Sequence, residues 1–116
     1  MEKMWLDDVR PAPDGWAWAK SYDEAIAILS NGETMVASLD YDLGLTATGQ
    51  VGEIVIATDN AAARSGFDVA VWIWEQAARG RISAPFILCH SINPHGREMI
   101  GRIIREIEAL NEYPHL

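Results

Sequence analysis

Apolar positions along this chain form short runs that alternate with longer stretches of helical period. "KMWLD", residues 3–7, reads as a short buried strand. "GWAWA", residues 15–19, alternates Trp16 and Trp18 with alanines, which suits a second strand. The link between them is shorter than the dozen or more residues that a crossover helix takes. Either the crossover is an irregular loop, or the second strand is an edge piece. "SYDEAIAILSNG" opens a helix: Ser21 and Glu24 have capping-box spacing, Ala25, Ile26 and Leu29 share a face, and Gly32 is a stop. "TMVASLD" is a β-rich run ending at Asp40. Ser65 and Asp68 open a second helix through "FDVAVWIWEQAA", apolar nearly all round and so expected to be heavily covered. "PFILCHS", residues 85–91, is a further strand. Asn93 and Pro94 suit an N-cap and first turn. Met99, Ile100, Ile103, Ile104, Ile107 and Leu110 form the stripe of a last helix running to about residue 111.

Strands alternating with helices predict an α/β fold with a mostly parallel sheet of about four strands, covered on both faces. With no repeat, low-complexity tract or linker, residues 1–116 are expected to form one domain. Residues 45–64 interrupt the pattern as a long loop or flap rich in Gly, Thr and Ala. "EIVIA" within it reads as a short hairpin strand or part of a lid, since long loops in compact domains are functional or mobile.

Composition narrows the possibilities. The 116 residues are 49% hydrophobic, which argues against disorder and allows one real core. Nine basic and 17 acidic residues give a net charge of −8, unsuited to a broad duplex nucleic-acid interface. A single phosphate bound locally remains compatible with that charge. No apolar run has the length of a membrane span and no positively charged leader precedes one, so a cytoplasmic protein without membrane contact is expected. Cys89, the single cysteine, excludes an intramolecular disulfide and a multi-cysteine zinc site. It reads as a small buried hydrophobe. Trp72 and Trp74 read as helix packing, Trp16 and Trp18 as core or rim; His95 and His115 carry no specific signal.

In open α/β sheets, ligands bind at the carboxyl ends of the strands. Asp7 and Asp8 end the first strand, Asp40 and Asp42 follow the third, and His90 and Ser91 end the last. If the first and third strands are neighbours, three or four carboxylates converge, and their repulsion calls for a cation. Mg²⁺ (or Mn²⁺) fits a set of hard oxygen ligands that leaves room for a substrate phosphate. Calcium-loop spacing is absent. A helix starting near Asn93 aims its N–H groups at the same edge, where Ser91 and Asn93 can donate to phosphate oxygens. Arg10 and Arg97 can each make paired hydrogen bonds to a phosphate, and His90 titrates near neutrality and can transfer a proton. Each residue alone has an ordinary structural reading: a solvated turn, a helix start, a structural histidine. Convergence on one edge is what makes a site.

Paired acids after the first strand, an acid after the third and a hydroxyl after the fourth resemble the receiver domains of two-component signalling. By that resemblance Asp7 and Asp8 bind metal, Asp40 is the acceptor position and Ser91 the hydroxyl. Receivers also carry a lysine after a fifth strand. Here the lysines are Lys3 and Lys20, neither in such a place, and there is no room for that strand. The chain more closely resembles a smaller group, the cyclic-phosphate processing receiver domains, found in bacteria and phages. The blocks that carry this resemblance are "LDDVRPAP" at 6–13, "SLDYDLG" at 38–44, "SGFDV" at 65–69 and "HSINPHG" at 90–96. Tyr41 stands where the group often has His, and Ser65 where it has Thr.

The resemblance implies a truncated, flavodoxin-like three-layer sandwich. It also implies processing of a cyclic phosphate on a small nucleotide or RNA end. Joined to the residue reading, it gives metal-dependent hydrolysis. Asp7, Asp8, Asp40 and Asp42 would supply the metal ligands, Asp40 or Asp42 the base or nucleophile, and His90 the proton for the leaving oxygen. Ser91, Arg10, Asn93 and Arg97 would hold the phosphate. Two alternatives stay open: a non-catalytic nucleotide-binding or protein-interaction module, and a degenerate phosphoacceptor, which the missing lysine disfavours.

Overall fold

The computed structural model describes residues 2–43 and 64–112. Residues 45–63 of the expected flap, with "EIVIA", and His115 lie outside the described residues. The described chain forms strands β1 (Glu2–Leu6), β2 (Ala17–Ala19), β3 (Thr34–Leu39) and β4 (Phe86–Cys89). Its helices are α1 (Tyr22–Leu29), α2 (Gly66–Ala78) and α3 (Pro94–Glu112). The sheet is parallel throughout, in the order β2-β1-β3-β4. β1 and β3 are therefore neighbours, the condition on which the acidic cluster depended.

Both readings of the first connection hold together. β2 is an edge strand, and it is parallel to β1 although no helix joins them. The link is ordered by its own polar groups. Asp7 Oδ1 accepts from the backbone N–H groups of Val9 (2.9 Å) and Arg10 (2.8 Å), and the Trp5 indole donates to the Arg10 carbonyl at 3.0 Å. Gly15, with φ of +87°, turns the chain into β2 at a conformation that L side chains resist.

The helix starts follow the sequence closely. Ser65 and Asp68 make the full reciprocal capping box of α2. At α1, Ser21 accepts from the Glu24 N–H, but the Glu24 carboxylate reaches one residue further back, to the Lys20 N–H at 2.8 Å. Two close approaches pin the helices to the chain after β3. A Cβ on Gly66 would collide with the Asp40 carbonyl, and one on Gly96 with the Tyr41 ring.

The core lies on one side of the sheet. Met4 and Leu6 of β1, Ala37 and Leu39 of β3 and Ile87 of β4 are buried with Leu29, Ile73, Ile100 and Ile107 of the helices. The connections β2–α1–β3 and β3–α2–β4 step the same way across the sheet, so right-handed crossovers place α1 and α2 on one face. α3 packs along α2 on that face. The truncation thus falls on one layer: among the described residues no helix covers the opposite face. Cys89 is partly exposed against this core, not fully buried as its apolar strand led one to expect.

Candidate functional site at the carboxyl edge of the sheet

Strand pairing brings the acids together. Each of Asp7, Asp8 and Asp40 offers a carboxylate oxygen, and the three oxygens lie within 4.8 Å of one another. They border an open cleft of about 270 Å³, completed by Val9, Arg10, Asp42 and Ile92. Asp42 lines this cleft but stands outside the cluster of three; the Asn93 amide donates to its carboxylate at 3.2 and 3.3 Å.

Asp7 is the hub. It is buried, and it accepts from Arg10 Nε at 2.8 Å and from His90 Nε2 at 3.1 Å in addition to its two backbone donors. Burial alone would raise its pKa. The hydrogen bonds from Arg10, Val9 and His90 and the Arg10 charge outweigh that and hold it below the ordinary aspartate value. Asp40 goes the other way. Burial and the neighbouring Asp7 charge raise its pKa against the opposing pull of Ser91, Arg10 and His90. That repulsion is what a divalent cation would relieve, so the donor set fits a hard metal ion.

His90 is fixed through both ring nitrogens. An ionised Asp7 can only accept, so His90 Nε2 carries the proton and Nδ1 accepts from the Ser38 hydroxyl at 2.8 Å. The ring also stacks on Trp5, with centroids 3.8 Å apart and planes at 6°. Burial lowers its pKa despite the pull of Asp7, which favours the neutral ring. Its nitrogens therefore hold Asp7 and Ser38 and do not point into the cleft as a proton donor would.

The phosphate-binding residues expected from the sequence separate. Arg10 lines the cleft, with Nη2 3.6 Å from Asp40 and 3.4 Å from the His90 carbonyl. Ser91 is buried, bonded to Asp40 and accepting from the Asn93 N–H. Asn93 Oδ1 caps α3, accepting from the N–H groups of His95 (2.9 Å) and Gly96 (3.2 Å). The Arg97 N–H goes to the Asn93 carbonyl, and Pro94 has none. The first-turn amides expected to receive phosphate are thus already satisfied. The Arg97 side chain is exposed on that turn, outside the cleft lining.

Sequence reasoning missed Ser38 and Trp18. The Trp18 indole donates to the Asp7 carbonyl at 2.7 Å. Strand period offered a signal for Ser38: it lies two residues before Asp40, hence on the same face.

A family model described as "Cyclic-phosphate processing Receiver domain" matches residues 2–106, nearly the whole chain. This chain belongs to that family. No curated protein and no solved structure matches it. In this receiver domain the acid cluster and the hydroxyl of Ser91 stand at the carboxyl edge, as the strand-end blocks required. No helix of the domain, among the described residues, is long and apolar enough to cross a membrane.

Proposed function

We propose that the domain binds a divalent metal at Asp7, Asp8 and Asp40 and uses it to open a cyclic phosphate on a small nucleotide or RNA end. The observation that carries this reading is the trio of carboxylate oxygens within 4.8 Å, bordering a cleft that also holds Arg10. Bound Mg²⁺ supplies Lewis acidity toward a phosphoryl oxygen there. Asp42, in the cleft but held by Asn93 away from the trio, takes the proton of the attacking water. The water oxygen forms a new P–O bond, one ring P–O bond breaks, and the released alkoxide takes its proton from solvent. Arg10 meets the anionic oxygens. His90 and Ser38 act by orienting Asp7.

A second reading, a module that binds the same phosphate without turning it over, is favoured by one observation. The His90 nitrogens and the Ser91 hydroxyl, the proton donors expected at the edge, are engaged inside the protein. Two measurements test the pair of readings. Millimolar Mg²⁺ should raise the thermal midpoint of the wild type. Asp8→Asn should fold and lose most of that rise, since like-charge repulsion falls with the carboxylate. A 2′,3′-cyclic nucleotide panel followed by phosphorus NMR should then show ring opening. Binding without ring opening would establish the module reading, and no Mg²⁺ response would sink the metal site.

A further inference from the structure

The face of the sheet opposite the helices carries its own pattern. Strand register places Trp18, Trp5, Ser38 and Leu88 in one row across β2, β1, β3 and β4. It places Lys3, Val36 and Phe86 in the next row. On the edge strand β4, Phe86 is 63% exposed and Leu88 42%.

Two lysines stand on this face of a chain that is acidic overall. The protein carries a net charge of −8 and two lysines. Both lysines stand over tryptophan rings here: Lys3 Nζ is 5.3 Å from the Trp16 ring centre and Lys20 Nζ 4.4 Å from that of Trp18. Trp16 in turn meets Trp5 edge-on at 6.0 Å, and Trp5 stacks on His90, the neighbour of Asp7. A row of rings therefore leads from the lysine-bearing edge to the acid cluster.

Aromatic side chains flanked by cations are the chemistry that holds unpaired bases: each base has a face to stack, and each phosphate needs a positive charge nearby. We propose that this face binds a single strand of nucleic acid, its bases stacking beside Trp16 and on Phe86, its backbone meeting Lys3 and Lys20. This rests on the reading of the carboxyl edge as the seat of the terminal phosphate, and it extends the ligand from one phosphate to a strand. A duplex does not fit, because its bases are already stacked and its charge demands a broader basic surface.

The test is fluorescence anisotropy with a short labelled oligoadenylate, ending either in a 3′-hydroxyl or in a 2′,3′-cyclic phosphate. Thermal shift with Mg²⁺ and inorganic phosphate runs in parallel. Both strands should bind, more weakly as salt rises, and the cyclic-phosphate strand more tightly when Mg²⁺ is present. Trp16→Leu and Phe86→Ser should each weaken both strands about tenfold, the scale of one lost stacking platform. Lys20→Glu, at an exposed position, should weaken both strands while leaving the Mg²⁺ and phosphate response unchanged. If Mg²⁺ and phosphate stabilise the protein but neither strand binds, the edge stands and this face is not a strand site. If the 3′-hydroxyl strand binds and loses affinity in the variants while Mg²⁺ and phosphate have no effect, the face stands and the metal reading fails. Unchanged affinity in all three variants overturns the proposal. So does sedimentation showing a dimer that Phe86→Asp splits, which would make a second copy the occupant.

Discussion

Asp7 and Arg10 show how one residue can hold two states of a site. Arg10 Nε lies 2.8 Å from Asp7, and Nη2 3.6 Å from Asp40, so the guanidinium already neutralises carboxylates that a metal would share. Arg10 is about half exposed, so this pair is screened by solvent. Arg10→Gln should therefore destabilise the metal-free protein by only about 0.5–1 kcal/mol. The same variant should bind Mn²⁺ more tightly in the absence of phosphate, because the competing cation is gone; calorimetry would read this directly. His90 gives a pH signature. Its pKa is lowered by burial, so below about pH 6.5 the unfolded chain binds a proton that the folded chain does not. Stability should then fall as pH drops through that window, more steeply in the wild type than in His90→Gln, as measured by urea unfolding. Asp40, with its raised pKa, has the opposite sign: it favours folding at low pH and loses that contribution as pH rises through its folded value. Asp7 and Asp40 both feel His90, so the comparison reads the histidine together with its effect on these two carboxylates.

At the scale of elements, helix starts do more than begin helices. The N-terminus of α2 is tied to the chain after β3 by the Gly66 N–H on the Tyr41 carbonyl at 3.0 Å. That approach leaves no room for a side chain, and the atom in the way is the Asp40 carbonyl, which cannot swing aside. Gly66→Ala should destabilise by about 1–3 kcal/mol, the cost of overpacking, read as a lower denaturation midpoint. Mg²⁺ affinity should fall with it, because Asp40 is the residue displaced. At α3, the Asn93 side chain joins two elements at once, capping the helix with Oδ1 and holding Asp42 with its amide. The general rule that a helix N-terminus receives anions fails here because its donors are occupied from within.

For the whole molecule, the described helices stand on one side of the sheet, and among the described residues none covers the other. A phosphoacceptor receiver needs a lysine at the carboxyl edge to hold a transferred phosphoryl group. Here Lys3 stands over Trp16 and Lys20 over Trp18. Acetyl phosphate or beryllofluoride should accordingly give no long-lived adduct at Asp40, as read by intact mass and fluorine NMR. A stable adduct would restore the switch reading.

Much of this was legible along the chain. Capping residues, helical stripes and short β-rich runs act over a few neighbours, so Ser65 with Asp68, the α3 stripe and the acids at strand ends could be placed without a structure. Strand ends moved by a residue or two, as local forces there are weakest. What the chain could not state was partnership across the sheet. His90 meets Asp7 across 83 residues and Ser38 across 52, and that meeting turns an expected proton donor into the brace of an acid. Likewise Trp16 and Trp18 read as core or rim until β2 proved to be a parallel edge strand whose outer face no described helix covers. Register decides both. A slip of one residue would turn every side chain of a strand to the other face, and only the packing of the whole core against α1, α2 and α3 selects the register that is kept.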